Sequence, residues 1–406
     1  MTGQAISTTG TWMQNIGLSW LVLKMTNSGT SLGIVVALQF LPMLVLGPWG
    51  GVIVDRFPKR KILYLTQTLS GIFALILAIL VFTETAELWM VYVLALLLGL
   101  VNTVDNPTRQ TFIPEMVGEK HLMNAISINS IQVNLTRVIG PTVAAIIIAS
   151  FGLAACFFFN AISFIAVIVA LTMIRKDELR TAPRAKKIRG QLKEGWHYVR
   201  SKPAILYPLI MVALIGTFAY EFTVSLPLLA QFTFGGDATT FATLSAALGL
   251  GSIFGGIVTA HRKDTSPSIL IETALLFGVS LLIFALMPTL SLAILVMVVV
   301  GFFSINFLSL ANVIIQVESS PEMRGRVMAF WSMAYLGSTP IGGPIIGWIG
   351  ENIGPRWALI VGALATFIAV WICFAKLKKD KTEIISDEAK SLEEDALAEE
   401  NLSGRQ

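Results

Sequence analysis

The chain states its plan twice, half a length apart. Gly47 and Gly51 stand four residues apart in an apolar stretch that runs into a charged turn. Gly251 and Gly255 repeat that spacing 251 − 47 = 204 positions later, ahead of Arg262-Lys263. Gly140-Pro141 is answered by Gly343-Pro344, 343 − 140 = 203 positions on, and Phe164-Ile165-Ala166-Val167 recurs letter for letter as Phe367-Ile368-Ala369-Val370. Each matching stretch is long and apolar. Such a repeat predicts two parallel bundles of membrane helices, with a cavity between them and charged turns at one face.

Apolar residues make up 55% of the 406 and charged ones 13%, well under the roughly 25% charged of a soluble chain. The apolar residues fall in blocks of about 20, the length at which a helix crosses a hydrocarbon core of about 30 Å. Twelve blocks are predicted, near 3–23, 31–54, 62–82, 88–105, 125–150, 153–174, 205–232, 241–260, 269–287, 290–315, 327–350 and 357–375. Lipid offers the backbone no hydrogen bonds, so each block must be helical. The expected fold class is all-α: twelve transmembrane helices in two pseudo-symmetric six-helix bundles, residues 1–174 and 204–376. A cytoplasmic linker at 175–203 joins them, and an acidic cytoplasmic tail occupies 377–406.

Cations set the orientation. Alternate loops and the C-terminus carry 26 of the 29 Lys and Arg, ten of them within 175–202, while the opposite loops hold only Lys24 and Arg356 and one span encloses Arg137. Both termini are therefore expected in the cytoplasm, in a bacterial inner membrane. The formal net charge of +4 follows from this topology and implies no nucleic-acid partner. Within the linker, Ile188, Leu192, Trp196 and Val199 share one helical face. That pattern suits an amphipathic helix on anionic lipid or a plain tether between the bundles.

Chemistry is excluded as clearly. Cys156 and Cys373 lie in apolar spans and are expected to pack as small apolar residues, without a disulfide. His121, His197 and His261 fall in loops, which leaves no histidine metal cluster, and no phosphate-binding Gly-x-x-x-x-Gly-Lys-Ser/Thr motif is present. No cofactor and no enzymatic nucleophile–base pair is called for. Polar Thr8, Thr9, Thr11, Gln14 and Asn15 do not suit a cleavable leader; the first span is short at its start, which suggests an initiation site upstream of Met1.

The turn between the second and third blocks reads Gly51-Val-Ile-Val-Asp55-Arg56-Phe-Pro58-Lys59-Arg60-Lys61. One carboxylate among four cations suits a hinge that makes and breaks ion pairs; a loop that only fixes topology is the simpler account. This segment resembles the loop 2–3 signature of the major facilitator superfamily, with Pro58 where the family has Gly. Gln39-Phe-Leu-Pro42, Asp105-Asn-Pro107-Thr-Arg109-Gln, Asn134-Leu-Thr-Arg137-Val-Ile-Gly140-Pro141, Tyr220-Glu221-Phe222 and Arg324-Gly325-Arg326 extend the likeness to a twelve-span branch that includes macrolide efflux proteins and the enterobactin exporter. The resemblance runs from the first span to about Ala375. It implies a rocking-bundle transporter in which Asp105 partners the loop cations Lys59 and Arg60. It also implies that spans two and eleven, and five and eight, face each other through Gly47, Gly51, Gly140, Pro141, Gly251, Gly255, Gly343, Pro344 and Gly347.

Arg137 and Glu221 fall near mid-membrane, where a charge costs about 2.5–3.5 kcal/mol on insertion scales and is functional by default. Glu221 is the candidate proton-coupling residue and Arg137 a candidate substrate ligand; a fixed buried pair that only holds helices is the alternative. Gln14, Asn15, Gln39, Asn102, Asn129 and Asn306, polar residues in apolar spans, join them as candidate cavity lining. The expected function is secondary active transport, as a monomer, of an amphipathic small molecule (a drug, macrolide or siderophore) outward against inward proton flow. An importer on the same fold and a non-transporting membrane scaffold are the rivals.

Overall fold

A computed structural model describes residues 2–118, 121–175, 191–262, 266–320 and 322–376, apart from the side chains of 48–52, 55, 123, 126, 127, 130, 134, 191 and 192. Every regular element among them is helical: α1 Thr2–Thr26, α2 Gly29–Arg56, α3 Lys59–Phe82, α4 Leu88–Val117, α5 Leu122–Phe151, α6 Leu153–Met173, α7 Gln191–Ser201, α8 Pro203–Phe218, α9 Phe222–Leu228, α10 Ala238–His261, α11 Pro267–Ala285, α12 Leu290–Glu318, α13 Arg324–Tyr335, α14 Thr339–Asn352 and α15 Pro355–Lys376. Ten helical segments are long and apolar enough to cross a membrane. The other two expected blocks fall short for separate reasons. α1 is long enough but diluted by Gln4, Ser7, Thr8, Thr9, Thr11, Gln14 and Asn15. The eleventh block is broken into α13 and α14, neither long enough alone.

The break has a local cause. Pro340 has no N–H to donate to Leu336, so the helix lets go after Tyr335 and restarts at Thr339. The seventh block breaks too, between Phe218 and Phe222, and its second part ends in a π-helical turn, Leu229–Thr233, just after Pro227. The two breaks meet: the rings of Tyr220 and Tyr335 stand edge to face at 5.6 Å.

Packing repeats as the sequence does. In the first half α2 lies on α4, α4 on α3, α3 on α6, and α1 on α6 and α5. In the second, α10 lies on α12, α12 on α11, and α8 on α13 and α14. The remaining pairs show in glycine contacts, where Gly278 of α11 faces Phe367 of α15 and Gly362 of α15 faces Phe218 and Ala219. Across the halves the main contacts are α2 with α14 and α5 with α10, the pairs the resemblance implied. Both cysteines are buried and free.

The two ends differ in charge. One carries Arg56, Lys59, Arg60, Lys61, Arg262 and Arg324 and is called the basic end below; the cation-poor end holds Lys24 and Arg356. At the basic end α7 docks on the second half. Val199 is fully buried, Trp196 stacks on Phe330 at 5.7 Å, Glu194 pairs with Arg326 at 2.8 Å, and Tyr198 accepts a hydrogen bond from the Ser320 N–H. Of the predicted apolar face, Val199 is spent on protein and Trp196 stays half exposed beside Phe330, while Ile188, the Leu192 side chain and the tail at 377–406 lie outside the described residues.

Candidate functional site

A cavity of about 150 Å³ lies between the halves, near the middle of α1, α5 and α12. Trp12 and Asn15 come from α1, Arg137 and Pro141 from α5, Tyr220 from the first break, and Tyr335 from the second. Phe222, Thr223, Phe241, Ser245 and Ser252 complete much of its wall. The Arg137 guanidinium lies over the Trp12 ring at 5.7 Å. Its Nε is buried with no hydrogen-bond partner among the described residues. Gly249 explains how α10 comes close enough to close the wall: its Cα lies against the Arg137 carbonyl oxygen, which an added Cβ would approach to 2.9 Å.

Glu221 sits behind this cavity. It is 3% exposed, and its Oε1 has no hydrogen-bond partner among the described residues. Thr339 is its hydrogen-bonding neighbour, and the carboxylate lies against the first turn of α14, close to where Cβ atoms on Gly342 and Gly343 would stand. Arg137 and Glu221 form no ion pair, although both surround the tyrosine-paired break. One charge faces the cavity. The other faces the helix that joins the halves.

Other candidates sit elsewhere. Gln14 accepts a hydrogen bond from Asn160 at 2.6 Å and ties α1 to α6. Asn306 accepts from Thr259 at 2.7 Å and ties α12 to α10. Asn129 accepts from Gln4, Asn102 is exposed, and Gln39 meets Gly99 through its backbone. Of the polar candidates in the spans, Asn15 and Arg137 line the cavity. Gln14 and Asn306 bond a neighbouring helix instead, since that satisfies a buried amide as well as a ligand does, and Gln39, Asn102 and Asn129 lie outside the lining.

The basic end corrects a second expectation. Asp105 does not partner Lys59 or Arg60. It accepts from Thr66 at 2.5 Å and Gln67 at 2.8 Å, and pairs with Arg109 one turn along its own helix at 2.5 Å. Lys59 pairs with Glu115 instead. Glu115 lies ten residues beyond Asp105 on α4, about 15 Å nearer the start of α3. Arg60 donates to the Thr172 carbonyl and lies over Tyr64, Arg56 is exposed, and the Asp55 side chain and the surroundings of Gly51 fall outside the described residues.

Glycine placement corrects a third. Cβ atoms on Gly251 and Gly255 would collide with Val298 and Phe302 of α12, and one on Gly140 with Trp12 of α1, so these pack helices within a half. Gly47 meets nothing within 4 Å. The seam between the halves is Gly343 and Gly347 of α14 against Gly33 and Gly29 of α2, backbone on backbone. Gly29 and Gly33 carry the same four-residue spacing, but Gly29 lies before the expected block at 31–54, which the helix extends to take in both. Beside them Glu351, at the end of α14, accepts from Ser28 Oγ at 2.8 Å, Thr30 N–H at 2.9 Å and Thr30 Oγ1 at 2.7 Å, across the halves at the start of α2.

A family model described as transmembrane secretion effector matches residues 2–405. The chain belongs to that family, within the major facilitator superfamily. It is a multi-span membrane transporter and not an enzyme. It is 28% identical to the staphyloferrin A transporter of Staphylococcus aureus, over 67% of this chain and 69% of that one. It is 24% identical to macrolide efflux protein A of Streptococcus pyogenes, over 91% and 93% of the two chains. The enterobactin exporter EntS of Escherichia coli is 24% identical over 86% of each. Among solved structures, a bacterial homolog of the human lysosomal transporter Spinster, inward-facing and unoccupied, superposes with TM-score 0.73 at 14% identity, covering 92% of this chain and 95% of that one. A bacterial homologue of the iron transporter ferroportin gives 0.72 at 14%, covering 92% and 96%. These likenesses establish the major facilitator fold.

Proposed function

We propose that this transporter exports an amphipathic small molecule from the cytoplasm of a bacterial cell in exchange for protons, as a monomer with both termini inside. The bundles 1–174 and 204–376 rock about the α2–α14 and α5–α10 contacts, 175–203 tethers them, and 377–406 takes no part. The observation that carries the reading is Glu221, a carboxylate buried without a counter-ion where α14 meets the seam. Uncharged, it costs little to bury while the cavity is shut from both sides. Ionised, it is held at the first turn of α14, where the helix N-terminus carries partial positive charge. Loading and losing a proton there alters the helix that closes the cation-poor end, which ties proton flow to opening. Asp55 and Arg56, with Gly51, would form the hinge on the cytoplasmic side, while Lys59, Arg60 and Asp105 are spent on partners within the first half. Export is supported by the efflux relatives, and orientation by the cation count.

The test is flux in proteoliposomes across a pH series, with an iron-free carboxylate siderophore and an amphipathic carboxylate drug as cargoes. Glu221→Gln keeps the shape but cannot titrate, so gradient-driven accumulation should fall to the rate seen without a gradient while downhill exchange persists. Accumulation by the mutant in step with the pH gradient would place coupling elsewhere. Uptake in right-side-out vesicles, in place of extrusion, would make the protein an importer.

A further inference from the structure

Among the residues that line the cavity, Arg137 is the one formal charge; no carboxylate stands with it. Its Nε is withdrawn from solvent and has no acceptor, and the guanidinium forms no ion pair among the described residues. The contact it does make, over the Trp12 ring, leaves the in-plane N–H fork free. A guanidinium fork matches a carboxylate in shape and spacing, and a charge-assisted pair of this kind is strengthened where water is scarce. Around it stand flat rings: Trp12, Tyr220 and Tyr335, the two tyrosines already edge to face. The hydroxyls nearby are partly spent, since Ser245 donates to Phe241 and Ser252 to Leu248.

We propose that the cavity selects an anion, a carboxylate carried on an aromatic or other flat apolar body, with the carboxylate on Arg137 and the body among Trp12, Tyr220 and Tyr335. This rests on reading the cavity as the transport site. A cationic cargo would meet Arg137 with no acid to offset it, because Glu221 lies outside the lining, against α14. Cations are therefore excluded by charge and neutral compounds left with ring contacts alone.

Three matched probes test this at equilibrium: 1-naphthoate, 1-naphthamide and 1-naphthylmethylammonium, each titrated by calorimetry into the purified full chain at one pH with no gradient. Naphthoate should bind about tenfold or more tightly than either of the others, the scale of one hydrogen-bonded charge pair. Arg137→Gln should erase that preference with an unchanged melting midpoint, and Arg137→Lys should keep its sign at reduced size. Equal binding of the three, a preference for the ammonium probe, no naphthoate binding at all, or an intact preference in Arg137→Gln overturns the proposal. Should the glutamine variant not fold, the wild-type probe series decides alone. Because no gradient is applied, proton coupling can fail without affecting this result, and Glu221→Gln should retain the anion preference.

Discussion

The two ends of the bundle are held by opposite means. At the basic end of the first half the charges are spent within that half: Lys59 on Glu115, Arg109 on Asp105, Arg60 on the end of α6. At the cation-poor end the join runs between halves, and it is made of backbone, Gly29 and Gly33 against Gly347 and Gly343. Lipid gives helices no hydrophobic reason to associate, so close approach of small residues supplies most of the attraction there. Such a seam holds while it fits and has no buried ion pair to break when it parts. Charged pairs within a half resist that kind of motion, because separating them strands a charge in a poor solvent. Rigidity inside a half and separability between halves are therefore encoded by different residue types.

The largest expected effect attacks the seam. Gly33→Leu should hold α2 and α14 apart and stop transport outright, with cross-linking between the start of α2 and the end of α14 lost; normal flux with normal cross-linking would mean that the seam is passive. Gly47→Leu, toward the basic end of the same helix, meets open space and should leave both readouts near wild type.

Next in size is the basic end. Glu115→Ala should destabilise the first half by about 3 kcal/mol, since it leaves Lys59 partly buried without a partner. Lys59→Ala with Glu115→Ala should recover much of that, as the double change strands nothing; additive losses in thermal or denaturant unfolding would show that the pair is not coupled.

The smallest effect belongs to Glu351. Hydrogen bonds from the Thr30 hydroxyl and N–H and from Ser28 hold its carboxyl below the usual carboxylate range. A lowered native value stabilises the closed end above the free-carboxylate pKa of about 4.3, and that contribution is lost as pH falls through the lowered value. At neutral pH the latch is complete. It is exposed and its carboxylate faces the N-terminus of α2, so the latch is worth about 0.3–1 kcal/mol. Spin-label distances across the cation-poor end should stay short down to about pH 4 in the wild type. In Glu351→Gln the distribution should be broader and no longer respond to acid; a pH response that survives the mutation would belong to another group.

The contrast also explains what could be read from the sequence. The all-helical fold and ten of the spans follow from composition along the chain, and no packing detail is needed to see them. Asn15 was legible as polar, but so was Gln14 beside it, and adjacent residues on a helix point about 100° apart. Spans that are apolar all round give no face from which to set that phase. Whether Glu115 or Asp105 partners Lys59 depends on how α3 and α4 slide along each other, a register that lipid-facing side chains do not record. Glu351 lies one residue past the apolar block 327–350, where composition assigns it no partner. Only the fold brings it to Ser28 and Thr30.

The seam also bears on how the protein is made. Its contacts are among the most remote in the chain: Glu351 meets Thr30 across 321 residues. No such contact can form until the ribosome has delivered almost the whole polypeptide, so the first bundle must wait in the bilayer with Gly29 and Gly33 uncovered. The order of synthesis therefore separates two assembly events, the fold of each half and their docking. Halves expressed from separate messages should still find one another, through a glycine face that was ready before its partner existed.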